Sequence, residues 1–234
     1  MGIFSRRRPD AGAPDESGPP PDPELVAYAR TVILPGFVDR ADAVVLVRDH
    51  FEIADEDRRP EAAVAAVWRD RSIEQEKWRE PGDYDRMAAA FARIRQQGLV
   101  ARMNFACCQT CGTDEIDDER TPNKLAAPGE YPWKEWGYTF FHQQDGERLA
   151  ESPSVLYLSY SAFRAAPQLD PALVQAARDG DQDAKRRVRI ETDRAVGTIV
   201  ADALREHGLT VDWDGDPDER IKVRITQWRK YLPV

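Results

Sequence analysis

All three cysteines of the chain fall within five positions, in the stretch NFACCQTCGTDEI (104–116). Cys107, Cys108 and Cys111 are therefore the residues whose type and spacing could do chemistry. In a CxxC pair followed by glycine, two thiolates can point at one tetrahedral metal ion, or a reactive thiol can work with its neighbour. Clustered cysteines also occur as small apolar side chains in a core. The spacing alone leaves metal binding, redox chemistry and packing open.

The residues before the cysteines predict how the thiols are divided. From Leu99 to Cys108, apolar positions alternate with others, which is typical of a strand with one apolar face. Neighbouring side chains of a strand point to opposite faces. Cys107 is therefore expected on the apolar face and Cys108 on the polar face, so that Cys108 and Cys111 are the thiols that act together.

A closed tetrahedral site needs two ligands besides Cys108 and Cys111. The chain has three histidines, and His142, in the predicted strand segment YTFFHQQD, is the best placed of them. Cys107 becomes a fourth ligand if the strand ends early. The leading prediction is a small metal site, with zinc as the ion, in which Cys108 and Cys111 are joined by His142 or Cys107. Its expected role is structural, to fix the edge of the sheet.

Two other acidic motifs are candidates for chemistry. In FHQQD, His142 and Asp145 could be an acid–base pair, although a histidine on an aromatic strand is more often structural. The segment DWDGDPDE (212–219) alternates aspartates as a calcium loop does, but Gly215 stands at its fourth place, whereas an EF-hand has glycine at the sixth. We expect a solvated hairpin turn there.

Two tryptophans, Trp133 and Trp136, lie between polar residues in YPWKEWGY. They could line a recognition surface or belong to the core. The chain has no phosphate-binding glycine loop, no GxSxG elbow and no HExxH helix. No further motif indicates a particular substrate.

The composition and net charge limit which cellular compartment and which classes of partner are expected. The chain has 234 residues, of which 41% are hydrophobic, and a net charge of −9. This charge argues against nucleic acid and anionic membranes as partners, because both bind dense positive charge. No stretch approaches the roughly 18 apolar residues that cross a bilayer, and the first residues lack the apolar run of a signal peptide. We expect a cytoplasmic protein, in which the cysteines are not disulfides.

The first part of the chain is predicted to be a tail followed by helices. Residues 1–23 are rich in Pro, Gly, Asp and Ser, which is typical of disorder. Residues 24–98 show helical spacing of apolar residues, with Pro60 opening one helix and Asp83 capping another.

Residues 99–234 are predicted to form the sheet-containing part. Strand patterns cover 99–108, 137–143 and 154–161, and a long helix around Val196 precedes a final hairpin. Together with 24–98 this predicts one continuous α+β domain. Its sheet is expected to be mostly antiparallel, with the long C-terminal helix packed on it.

Four segments resemble an uncharacterised bacterial domain family of unknown function. They are GLVARMNFACCQTCGTDEI, GYTFFHQQD, LYLSYS and AVGTIVADALREHGLTVDWDGDPDERIKV, and the resemblance runs from about residue 25 to the C-terminus. NFxCCxxCG followed by FHQQD is its specific combination, and Ser161 stands where a glycine is expected. The resemblance implies no activity, ligand or catalytic residue.

These observations favour a binding or accessory module with a structural metal site, acting on an unknown protein or small-molecule partner. The first alternative is a thiol oxidoreductase that uses Cys108 and Cys111. The second is an interaction domain whose buried cysteines are inert. Whether the protein is an enzyme is left open.

Overall fold

A computed structural model of the protein describes residues 20–233. The predicted tail over residues 1–23 therefore lies almost entirely outside the described residues. Two short 3₁₀ helices, Ile116–Glu119 and Glu147–Ala150, accompany the α-helices. The α-helices and strands are α1 (Pro23–Ile33), α2 (Arg40–His50), α3 (Arg59–Gln75), α4 (Asp83–Gln96), β1 (Leu99–Arg102), α5 (Gln109–Glu115), β2 (Gly137–Phe140), α6 (Gln143–Gly146), β3 (Ser154–Ala162), α7 (Pro171–Arg178), α8 (Gln182–Glu206), β4 (Thr210–Asp212) and β5 (Ile221–Ile225).

The five strands form one sheet in the order β1-β2-β3-β5-β4. Only β1 and β2 are parallel among these pairs, and the other three pairs are antiparallel. The predicted α+β class with a mostly antiparallel sheet is confirmed.

The long helix α8 packs on the sheet, as the apolar stripe around Val196 predicts. Val196 and Val200 share a buried core with Leu156, Ile221 and Val223 of the sheet. The helix begins where the Asp181 carboxylate accepts bonds from two backbone N–H groups, which is the expected role of an N-cap aspartate.

Helices α1, α2 and α3 enclose a second apolar cluster, which contains Leu25, Ile33, Val47 and Val64. Pro60 is the second residue of α3, one place after the predicted first position, and its missing N–H costs no helical hydrogen bond there. Leu232 belongs to the same cluster, so the end of the described chain packs against its first helices.

The prediction that Asp83 caps α4 is wrong by one residue. Gly82 occupies the N-cap position, and Asp83 is the first residue of the helix. The Asp83 carboxylate instead accepts hydrogen bonds from the backbone N–H groups of Thr226 (2.7 Å) and Gln227 (2.8 Å). This long-range contact joins α4 to the segment after β5, and no local pattern could show it.

The predicted strand over 99–108 is wrong beyond Arg102. Asn104 and Ala106 have φ angles of 52° and 54°, which lie in the left-handed region and interrupt an extended chain. The Asn104 side chain fills the space beside Gly146, where a Cβ atom would lie 2.4 Å from its Oδ1 atom. Packing against α6 therefore ends β1 six residues before Cys108.

Candidate metal centre

The three thiols converge where the loop after β1 enters α5. The Cys111 Sγ atom lies 3.3 Å from the Cys107 Sγ atom and 3.4 Å from the Cys108 Sγ atom. All three sulfur atoms lie within 4.8 Å of one another. The described residues contain no second group of three or more Cys, His, Asp or Glu ligand atoms this close together.

The predicted division of the thiols is corrected by this geometry. Cys107 is exposed rather than buried on an apolar face, and Cys108 and Cys111 are half-buried. Because β1 ends at Arg102, the alternation of a strand no longer separates Cys107 from Cys108. The hypothesis of an interaction domain with inert cysteines assumed that the cysteines are buried, and none of the three is fully buried.

Backbone hydrogen bonds hold the cysteine loop against the segment after β2. The Phe105 N–H donates to the Phe141 carbonyl (2.9 Å), and the Gln143 N–H donates to the Ala106 carbonyl (3.1 Å). The Cys107 carbonyl accepts a longer bond from the Gln144 N–H (3.4 Å). The position of the exposed thiol is therefore set by the turn that begins α6.

Gly112, the glycine of the CxxCG motif, allows α5 to approach the sheet. It is a buried residue inside α5. A Cβ atom there would lie 2.5 Å from Cε2 of Phe140, a fully buried ring. The glycine is needed for close packing.

Gly112→Ala is expected to lower the free energy of unfolding by about 1–3 kcal/mol, the usual cost of overpacking a core. Urea denaturation measures the change. The exposed Thr110 in the same helix gives the control Thr110→Ala, for which we expect a change below about 0.5 kcal/mol. Equal stability of Gly112→Ala and the wild type would show that α5 is free to lift from Phe140.

The close packing of the thiols shifts the pKa values of Cys108 and Cys111 in opposite directions. Hydrogen bonds from the backbone N–H and thiol of Cys111 lower the pKa of Cys108. The neighbouring sulfurs of Cys107 and Cys108 raise the pKa of Cys111 to about 12. Without a cation, the cluster therefore keeps a proton on Cys111, and a bound cation would favour its release.

His142 is held by Asp145 rather than by the cysteines. Its Nε2 atom lies 2.8 Å from the Asp145 Oδ2 atom, and its Nδ1 atom accepts the Asp145 backbone N–H at 3.2 Å. Asp145 also pairs with Arg220. To ligate a metal ion, His142 would have to give up one of these contacts, and it is not part of the sulfur group.

His142 and Asp145 are in contact, as in an acid–base pair, but both side chains are buried away from solvent. The two residues are 6% and 5% exposed, respectively. Burial and, to a lesser extent, Arg220 lower the pKa of His142 despite the opposing effect of Asp145. A neutral ring that donates from Nε2 and accepts at Nδ1 fits both contacts, which indicates a structural role in capping α6.

A pH titration of stability tests this neutral histidine. A lowered folded-state pKa means that the unfolded chain takes up the proton first, so stability falls as pH drops below about 6.5. We expect His142→Asn, which keeps a capping oxygen, to lose less stability than the wild type between pH 7.5 and 5.5 in urea denaturation. Parallel pH profiles would contradict the assignment.

The family model of a domain of unknown function (DUF6891) matches residues 20–232. The chain belongs to this family. The predicted resemblance to a family of unknown function is confirmed, whereas its bacterial origin remains a prediction. No curated protein and no solved structure matches the chain.

Two further features of this DUF6891 chain concern the acidic segment 212–219 and the character of its helices. In the segment 212–219, the carboxylates of Asp214 and Asp216 each accept a backbone N–H two residues ahead, at 3.0 Å. These contacts are those of a solvated turn. Within residues 20–233, no helix has the length and apolar character that a membrane span requires.

Proposed function

We propose that the protein is a metal-binding accessory module in which Cys107, Cys108 and Cys111 hold one thiophilic ion, with zinc as the first candidate. The observation that carries the proposal is the convergence of the three sulfur atoms within 4.8 Å of one another. In a tetrahedral zinc site with Zn–S bonds of about 2.3 Å, sulfur atoms lie about 3.8 Å apart. Small rotations of the side chains bring the observed 3.3 and 3.4 Å separations to this value.

The ion would be bound by three protein ligands and would tie the loop after β1 to α5. The sequence predicted a structural site at the edge of the sheet, and the ion proposed here would fix the loop that follows the edge strand β1. Because Cys107 is exposed, a fourth ligand can also arrive from solvent or from a partner. Closed structural zinc sites use four protein ligands, whereas sites with three keep an open position. We therefore propose that the ion is exchangeable.

Metal analysis of protein purified without a histidine tag tests the proposal. We expect about one equivalent of zinc per chain, and less than about a tenth of an equivalent of zinc or iron after incubation with either metal would reject it. Cys107→Ser separates the hypotheses, because a three-thiol metal site needs Cys107 whereas a CxxC redox pair does not. Metal content that is unchanged in Cys107→Ser would also count against the proposal.

A thiol oxidoreductase is the second candidate, favoured by the 3.4 Å separation of the Cys108 and Cys111 sulfurs. The Cys108 thiolate would attack a substrate disulfide and release one substrate thiolate. Cys111 would then lose its proton and attack the mixed disulfide, which releases the second thiolate as Cys108–Cys111 is oxidised. The lowered pKa of Cys108 suits the attacking thiol. An alkylation rate that follows pH as an ordinary cysteine does would reject this candidate.

A further inference from the structure

A cavity of about 680 Å³ lies between the loop before β2, the segment after β3 and the end of α7. Its lining includes the side chains of Lys134, Arg164 and Arg178, which come from these three parts of the chain. The cavity lies at the N-terminal end of β2, whereas the cysteines follow the C-terminal end of β1, and these two strands are parallel. The cavity and the thiol cluster therefore lie at opposite ends of these two strands.

The cations of this cavity lack partners of opposite charge. Within residues 20–233, no carboxylate lies within 4.0 Å of Lys134, Arg164 or Arg178. The acidic residue of the lining, Glu130, uses its carboxylate to accept the Ala127 backbone N–H at 2.9 Å. In a chain with a net charge of −9, three such cations around one cavity form a local positive potential that attracts anions.

The loop that carries Lys134 is held in place by stacked cations and aromatic rings. The Arg120 guanidinium lies 4.9 Å from the Trp133 ring centroid and 4.7 Å from that of Phe163. The Arg164 guanidinium lies 4.6 Å from the Tyr131 ring centroid, and the Tyr131 hydroxyl donates to a carbonyl of the loop at 2.9 Å. The cavity wall is thus pre-organised, which lowers the entropy cost of binding.

We propose that this cavity binds a small organic phosphate. Arginine side chains bind phosphate oxygens in a bidentate manner, and lysine adds a point charge. The cavity volume falls in the usual range for small-molecule sites, about 300–1,000 Å³, which exceeds the size of a single phosphate ion. The half-buried Trp133, which the sequence left between surface and core, lines this cavity, whereas Trp136 belongs to the core. The site would give the domain its small-molecule partner.

Isothermal titration calorimetry with AMP, pyrophosphate and citrate tests the site in the full chain. We expect AMP to bind with a Kd below about 1 mM at low salt, and citrate to bind at least tenfold more weakly. Binding of pyrophosphate without binding of AMP would contradict an organic ligand. The double variant Arg164→Ala/Arg178→Ala should weaken phosphate binding at least tenfold. Lys134→Ala, which alters one exposed side chain, should weaken it severalfold and guards against misfolding of the double variant.

The control is Arg93→Ala/Arg224→Ala, which removes the same charge from exposed positions outside the cavity lining. It should leave binding unchanged. Equal weakening by both double variants, preference for citrate, or no binding of either phosphate by the wild type would overturn the proposal. Zinc content is expected to stay the same in every variant, so the outcome is independent of the proposed metal site.

Discussion

Cys111→Ser is expected to lower the affinity for zinc at least about 100-fold, since altering even the outer partners of metal ligands costs about 10–100-fold. Cys111 lies within 3.4 Å of both other sulfurs, so its loss leaves two thiolates and a hydroxyl, a much poorer ligand for a soft ion. Competition with a zinc-binding dye measures the change.

Substitutions of the other two cysteines and of His142 test whether zinc binding depends on the three thiols alone. Cys107→Ser and Cys108→Ser should weaken zinc binding to a similar extent. His142→Asn should leave zinc binding unchanged, because His142 is bound to Asp145 and is not part of the sulfur group. Zinc affinity should also rise with pH, because the ion must displace the proton from Cys111, whose pKa is about 12 in the free cluster. A wild-type affinity in Cys111→Ser would remove the basis of the three-thiol site.

Asp83→Ala is expected to lower the free energy of unfolding by about 3 kcal/mol, because each of the two lost hydrogen bonds to a charged group contributes about 1.5–3 kcal/mol. Asp83 is 3% exposed, and its carboxylate accepts the N–H groups of both Thr226 and Gln227. The substitution removes both hydrogen bonds at once, because one carboxylate oxygen, Oδ2, accepts both N–H groups. Urea denaturation with a fitted m-value measures the loss.

Asp85→Ala is the control for Asp83→Ala. Asp85 lies in the same helical turn but is exposed, and its carboxylate accepts the Gly82 N–H at 2.9 Å. Its removal should cost about 1 kcal/mol, as a lost helix cap does. Similar losses for the two variants would mean that the contact with the segment after β5 contributes little.

Periodicity predicted the elements that have one apolar face over many residues. The stripe around Val196 gave α8, and the alternation through Val223 gave β5 and its hairpin. The end of β1 could not be predicted, because Asn104 leaves the extended conformation to pack against Gly146, forty-two residues ahead. The apolar alternation simply continues through the loop.

The candidate site was predicted as a cluster but not as an arrangement. The short spacing of the cysteines predicted that the thiols lie close together. The prediction that Cys107 lies on the apolar face was wrong, because it assumed a strand that continues to Cys108. Arg220, which pairs with Asp145 across 75 residues, gave no local signal. The cationic cavity was also missed, because its side chains come from three separate segments.

The contact between Leu232 and α3 has a consequence for the newly made chain. The Leu232 N–H donates to the Gln75 side chain, 157 residues earlier. Ribosomes add about 5–20 residues per second, so the first three helices wait about 8–30 s for a leucine that fills their apolar cluster. During that interval they expose apolar surface, and a chaperone that recognises it would have its longest opportunity there.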